Sequence, residues 1–242
     1  MISEYLLPGS ADEAVSQREG AVVMAGGTTV MPAVLAGAVQ ETRVVGLARA
    51  GLEGISRDDG RTTIGACTTL AAAASLDGAV GAAARAVGGP ALRNMATVGG
   101  NVVIGGDVAC ALLALDAHVD LGARTLPLAD LWDALGVDIV RSVSFNDDAA
   151  AGSVFVRWAR RAANTPAVVC VAVAGGRVAI GGVAEHPVRS AGAEAHIDDP
   201  EAAGAAAAAE VDPPTDGIAS SWYRTRMTQL FVRRALEAWH AV

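Results

Sequence analysis

Two glycine pairs set among threonines constrain this chain more than any other feature: Ala25-Gly26-Gly27-Thr28-Thr29 and Thr97-Val98-Gly99-Gly100-Asn101. Glycine reaches backbone conformations closed to residues with a Cβ and lets another group come close to the main chain. The first pair follows a short apolar run, 21–24, that reads as a strand, and Pro32 then opens a helix. The second pair ends the heavily punctuated stretch 90–101, and an apolar helical run over 107–116 follows it. Tight turns between strands and helices point to a mixed fold.

The rest of the chain extends that reading. A helix is expected over 11–19 with Ser10 as its N-cap, a strand over 42–47, a connector over 51–56 and a strand over 62–66. Thr68-Thr69 starts an alanine-rich helix, and 81–87 is a second helical stretch. Segments 117–121 and 124–127 read as a strand pair, 128–135 as a short helix, and 145–150 as a polar link. Three β-rich runs follow, 154–159, 167–174 and 177–183, the last two meeting at the hairpin signal Gly175-Gly176. Alanine content makes 201–210 helical, and a last helix runs over 221–239, with Trp222 and Tyr223 expected in its core.

Composition removes several kinds of chemistry. The formal net charge is −8 and the basic residues are scattered, which argues against a nucleic-acid face. All 18 basic residues are arginine, so neither a P-loop lysine nor a Schiff-base lysine is available. Cys67, Cys110 and Cys170 are far apart in sequence and lie in apolar surroundings, unlike the clustered thiolates of an iron–sulfur site. The four histidines form no pairs at zinc spacing. The longest uncharged stretch, 21–40, contains glycines and Pro32 and does not read as a membrane span. Met1-Ile2-Ser3-Glu4 lacks the basic and apolar regions of a signal peptide, so the cytoplasm is the expected compartment.

A turn of successive backbone N–H groups forms a concave nest for anions, and glycine lets phosphate oxygens approach it. Hydroxyls of Thr28, Thr29 and Thr97 add donors. Neither pair has the G-x-G-x-x-G spacing of the common dinucleotide fingerprint. From residues alone the reading stops at an α+β protein with two anion-binding turns.

Taken in order, the motifs resemble the FAD-binding (medium) subunit of the molybdenum hydroxylases, the xanthine dehydrogenase and carbon monoxide dehydrogenase family. Tyr5-Leu6-Leu7-Pro8-Gly9-Ser10 is similar to its opening, and Ala25-Gly26-Gly27-Thr28 with Met31-Pro32 to its first flavin motif. Ile64-Gly65-Ala66-Cys67-Thr68-Thr69-Leu70 resembles its central strand and turn, and Leu92-Arg93-Asn94 through Thr97-Val98-Gly99-Gly100-Asn101 its second flavin motif. Ile180-Gly181-Gly182-Val183-Ala184 and Ser221-Trp222-Tyr223-Arg224 fall where its third domain and closing helix do.

The resemblance implies an α+β fold: two α/β subdomains, about 1–54 and 55–148, forming an FAD-binding domain over 1–148. A small C-terminal domain over 149–242, with a three-stranded sheet and helices, completes it. It also implies that Ala25, Gly26, Gly27, Thr28 and Thr29 hold the FAD pyrophosphate from one side, and Thr97, Val98, Gly99, Gly100 and Asn101 from the other. Asp107 is implied as an adenosine contact and Arg157 as a basic residue near the flavin; Arg93 and Asn94 are expected to orient the second turn. Only Val102-Val103-Ile104-Gly105-Gly106 separates Asn101 from Asp107, a shorter segment than the family usually has. The implied role is electron transfer. Electrons would come from a molybdenum-cofactor large subunit through a two-iron two-sulfur small subunit and leave to NAD or another acceptor. A self-contained flavin oxidoreductase and a cofactor-free structural subunit are the alternative readings.

Overall fold

The structure, a computed structural model, describes residues 2–136, 138–161 and 164–242. The chain begins with β1 (Glu4–Leu6), α1 (Ala11–Gln17), β2 (Ala21–Met24), α2 (Val30–Leu35) and β3 (Arg43–Gly46). The three strands form a parallel sheet in the order β1-β3-β2. Ser10 caps α1 by accepting the Glu13 N–H at 3.1 Å. Val45 and Leu47 pack under α1 on Ala11 and Ala14.

Next come β4 (Ile55–Asp58), β5 (Arg61–Gly65), α3 (Leu70–Ala73), α4 (Gly78–Ala86), α5 (Pro90–Arg93), α6 (Val98–Val103) and α7 (Asp107–Ala114). After these follow β6 (His118–Asp120), β7 (Thr125–Pro127), a 3-10 turn (Leu128–Asp130), α8 (Leu131–Ala134), β8 (Ser142–Asn146) and α9 (Asp147–Ala150). The sheet here has the order β4-β5-β8-β6-β7 and is antiparallel throughout. Its central strand, β8, overlaps the stretch expected to be a link. Val143 and Phe145 face the core while Ser142 and Ser144 alternate with them, so the period of two was present in the sequence. The second glycine pair also differs from expectation: it is the first turn of α6, with Thr97 as N-cap, rather than a free turn.

The C-terminal region contains β9 (Val154–Ala159), β10 (Ala167–Ala174), β11 (Arg177–Gly181), β12 (Val188–Arg189), α10 (Ala191–Ala195), α11 (Pro200–Glu210) and α12 (Ser221–His240). The three expected strands pair as read, and the two-residue β12 extends them to four in the order β12-β11-β10-β9. Gly175 and Gly176 both have positive φ, 52° and 78°, as the two-residue hairpin between β10 and β11 requires.

Helix α7 joins these parts. Seven of its eight residues, Val108 through Ala114, are buried, which fits a helix that is apolar on every side. It packs on α4 and on β10 and β11, so the core of the antiparallel sheet runs on into the C-terminal sheet through Cys170, Ala172, Ala174 and Ala179. Cys110 and Cys170, separated in sequence, meet at this seam, where Gly181 leaves room for both sulfurs. Hydrogen bonding with Cys110, then burial, pushes the Cys170 thiol up; burial pushes Cys67 up to about 11. Both stay protonated near neutral pH.

Trp222 is not in the core: it is 75% exposed, and the buried member of its motif is Arg224. Arg224 donates to the carbonyls of Val168 (2.6 Å) and Gly182 (2.8 Å) and to both oxygens of Asp216 (2.9 and 2.8 Å). The N–H groups of Ala219 and Ile218, with Arg224, hold the Asp216 carboxyl down from its ordinary 3.8 to about 2. A depressed carboxylate stabilises the fold above its unfolded pKa and loses that contribution as pH falls through the folded one. The stability of the wild type to denaturant should therefore fall as pH drops from 3.8 toward about 2. Asp216→Asn should lack that part of the slope and be less stable at neutral pH. An unchanged pH profile in the variant would contradict this role.

Candidate functional site

A cleft of about 580 Å³ lies where the parallel sheet meets the antiparallel one, within the size range of ligand sites. One wall is the segment from Ala25 to Val30; the other is Ala96, Thr97, Gly99, Gly100, Asn101, Val103 and Ile104. Apolar residues continue it toward Val22, Leu47, Ile139 and Val140. The two glycine segments therefore face one space, and they touch. A Cβ built on Gly26 would overlap the carbonyl of Met95, just ahead of α6. Gly26 is a contact between halves of the cleft before it is a ligand contact.

The two walls differ in their hydrogen bonding. In the first, the N–H groups of Gly26, Gly27, Thr28, Thr29 and Val30 donate to no other described residue. The hydroxyls of Thr28 and Thr29 likewise bond to no other described residue, and Thr29 precedes α2 with no side-chain cap bond. Five backbone donors open on one cleft wall are what a hydrated anion needs in exchange for its water. In the second, the amides are engaged. Val98 N donates to Thr68 O at 2.9 Å, Gly99 N to Ala66 O at 2.8 Å, and Gly100 N to Thr97 Oγ1 at 3.2 Å. Asn101 ties the following loop: its carbonyl accepts Gly106 N (2.8 Å) and its Oδ1 accepts Val108 N (2.9 Å).

Charge in the cleft is sparse. Arg18, Glu41 and Asp138 are its only charged lining residues among those described. Arg18 donates to the carbonyls of Asp138 (3.2 Å) and Gly136 (3.1 Å). An anion here is met by amides more than by cations.

Of the expected site residues, Ala25, Gly26, Gly27, Thr28, Thr29, Thr97, Gly99, Gly100 and Asn101 line the cleft. Val98 is fully buried beneath it. Asp107 and Arg157 do not line it: they pair with each other at 2.7 Å, their side chains 13% and 11% exposed, across the seam between α7 and β9. Arg157 also donates to the Thr165 carbonyl. Burial raises the Asp107 carboxyl above its ordinary range, with the Arg157 guanidinium opposing it. This pair is an internal tie, and the adenosine and flavin contacts implied for it are not what the geometry gives. Arg93 donates to the carbonyls of Arg85 (3.1 Å), Val87 (3.1 Å) and Gly88 (2.8 Å), so its side chain closes the end of α4 rather than bonding the second turn it is expected to orient. The apolar lining at Val22, Leu47, Val103, Ile104 and Val140 is not legible in the sequence, since side chains of these types carry no signal separating cleft from core.

The family model describing the FAD binding domain in molybdopterin dehydrogenase matches residues 1–144. The chain belongs to that family. Its cofactor is FAD, and the cleft suits it, with unbonded amides on one wall, a glycine face opposite, and apolar lining besides. Among solved structures, a carbon monoxide dehydrogenase from Hydrogenophaga pseudoflava is 26% identical, with 100% of this chain and 98% of that one covered and a TM-score of 0.88. The reconstituted enzyme from Oligotropha carboxidovorans is 25% identical, with coverage of 98% and 97% and a TM-score of 0.88. Quinoline 2-oxidoreductase from Pseudomonas putida 86 shares the fold at 21% identity, with 100% and 98% covered and a TM-score of 0.85. Comparison with curated protein sequences gives no match. The chain is thus a flavin-dependent oxidoreductase component of molybdenum hydroxylase type.

The glycines should separate by role. A Cβ on Gly99 would lie 2.6 Å from Ala66 Cβ and 2.9 Å from its carbonyl oxygen, so Gly99→Ala should destabilise the protein by about 1–3 kcal/mol. A Cβ on Gly100 meets only Thr97 Oγ1 at 3.0 Å and otherwise the open cleft. Gly100→Ala should keep stability within about 1 kcal/mol and weaken FAD binding. Paired denaturant melts and FAD titrations check this; equal effects on both quantities in both variants would contradict it.

Proposed function

We propose that this chain is the electron-transfer subunit of a multi-subunit molybdenum hydroxylase, receiving electrons from iron–sulfur clusters and delivering them to an external acceptor. The observation that carries the reading is the row of open amides at Gly26–Val30 in the cleft of a chain whose family binds FAD. FAD supplies the redox chemistry when bound. The protein's own part is to bind and orient it. The 26–30 segment donates to the pyrophosphate, Gly100 gives it room, and the Thr97 hydroxyl stands beside it. The apolar ends of the cleft take the two ring systems.

The need for partners follows from what the chain lacks. Cys110 and Cys170 are buried at the α7 seam, and Cys67 donates to Leu47 O at 3.7 Å, so the three do not assemble a cluster site. A two-iron two-sulfur small subunit and a molybdenum-cofactor large subunit would supply the centres upstream of the flavin, and NAD or another acceptor would take the electrons. Helix α2 supports a partner surface near the cleft: its sequence is wholly apolar, none of its residues is buried, and Leu35 is 83% exposed. An apolar helix left open is characteristic of a protein contact. No helix among the described residues is long and apolar enough to cross a membrane. Free cysteines suit the reducing cytoplasm. The proposed division into domains at 1–148 and 149–242 falls within α9.

Purified chain should take up FAD and turn yellow. At FAD a hundredfold above its Kd, the midpoint of thermal unfolding should rise by roughly 5–10 °C. The isolated flavoprotein should not turn over NADH, whereas reduced iron–sulfur subunit should bleach its flavin band. Sustained NADH oxidation by the chain alone would replace the electron-transfer reading with a self-contained oxidoreductase. Colourless protein without a thermal shift would remove both.

A further inference from the structure

The five-residue segment after Asn101, which ends α6 and turns into α7, is backed by a stack of two rings. Trp132 on α8 and His186, between β11 and β12, lie with centroids 4.8 Å apart and planes 8° from parallel. The Trp132 indole N–H donates to Val102 O at 3.1 Å. His186 and Pro187 close on Gly105, whose φ is +64°; a Cβ there would stand 2.9 Å from His186 Nδ1 and 3.0 Å from Pro187 Cδ. That Nδ1 is buried and has no hydrogen-bond partner among the described residues. The imidazole is therefore held by shape and stacking, not by a proton shared with a neighbour.

The other side of the same loop is cleft. Val103 and Ile104 line it and are 37% and 49% exposed, whereas Leu47, Ile139 and Val140, which also line it, are 5%, 4% and 5% exposed. A ring that must exchange electrons with other groups belongs beside the exposed lining, and an adenine that only anchors belongs beside the buried lining. This places the isoalloxazine against Val103 and Ile104.

Resting on the reading that FAD fills this cleft, we propose that His186 is a positioning residue for the isoalloxazine. Stacked on Trp132 and pressed against Gly105, it holds Val103 and Ile104 as a fixed apolar wall. A residue of the C-terminal region thereby sets the flavin's environment without touching it. The coupling runs through packed atoms whose spacing leaves no slack, so a lost ring behind the loop becomes a shifted wall in front of it.

The test uses the full chain with His186→Ala and His186→Phe, titrated separately with FAD and with ADP, which carries the pyrophosphate and adenosine but no flavin. His186→Ala is expected to weaken FAD about tenfold, alter the shape of the bound-flavin absorption band, and leave ADP affinity unchanged. His186→Phe, which keeps a stacking ring, should restore both FAD affinity and band shape. Wild-type FAD affinity and band in His186→Ala would overturn the proposal, as would equal loss of FAD and ADP, or failure of the phenylalanine to rescue. If His186→Ala does not fold, Trp132→Leu decides: it removes the ring on which His186 stacks, and an unchanged band in it overturns the proposal. Wild-type protein that binds neither FAD nor ADP would instead refute the underlying cleft assignment.

Discussion

The contact between Gly26 and the Met95 carbonyl is the closest approach on which the cleft depends. No side chain fits between them, so the turn after β2 and the turn before α6 meet backbone to backbone. Everything ligand-facing is arranged around that point. On one side the chain runs on into five amides without partners; on the other it enters α6, whose first amides are bound to Thr68, Ala66 and Thr97. Two similar-looking glycine motifs thus have unequal parts. On the proposed reading the first is the donor surface, and the second is the rigid counter-wall that holds it at the right distance.

This division suits a chain with no lysine. A pyrophosphate carries charge that must be compensated when it leaves water, and oriented amides do this without bringing a mobile cation into the cleft. Several arginines are committed to structure instead. Arg157 is paired with Asp107 at the α7 seam, the buried Arg224 holds Asp216 and two carbonyls, Arg93 closes α4, and Arg18 joins α1 to Gly136 and Asp138. On the proposed reading the flavin environment is built from backbone donors and apolar walls, with redox chemistry left to the cofactor.

Much of this was legible in the sequence. Binary pattern and turn residues located most helices, the hairpin at Gly175-Gly176 and the two glycine motifs, because local rules govern them. Less visible was whatever long-range pairing decides. β8 does not read as a strand because Asn146, Asp147 and Asp148 at and after its end mark a link, although the strand is completed by β5 and β6 on either side. The second glycine pair reads as a turn because glycine disfavours helices, yet packing on Ala66 demands it inside α6. Asp107 and Arg157, distant in sequence, gave no sign that they would satisfy each other. Trp222 reads as core by its type, but helical phase puts Arg224 inward instead.

The claim that the first glycine turn donates and the second frames is open to direct measurement by residue-resolved amide hydrogen exchange with and without FAD. The amides of Gly26 through Val30 should exchange fast in the free protein and become strongly protected when FAD binds. Those of Val98 and Gly99 should be protected in both states. Fast exchange at 26–30 in the FAD complex, or new protection confined to 98–101, would contradict the account.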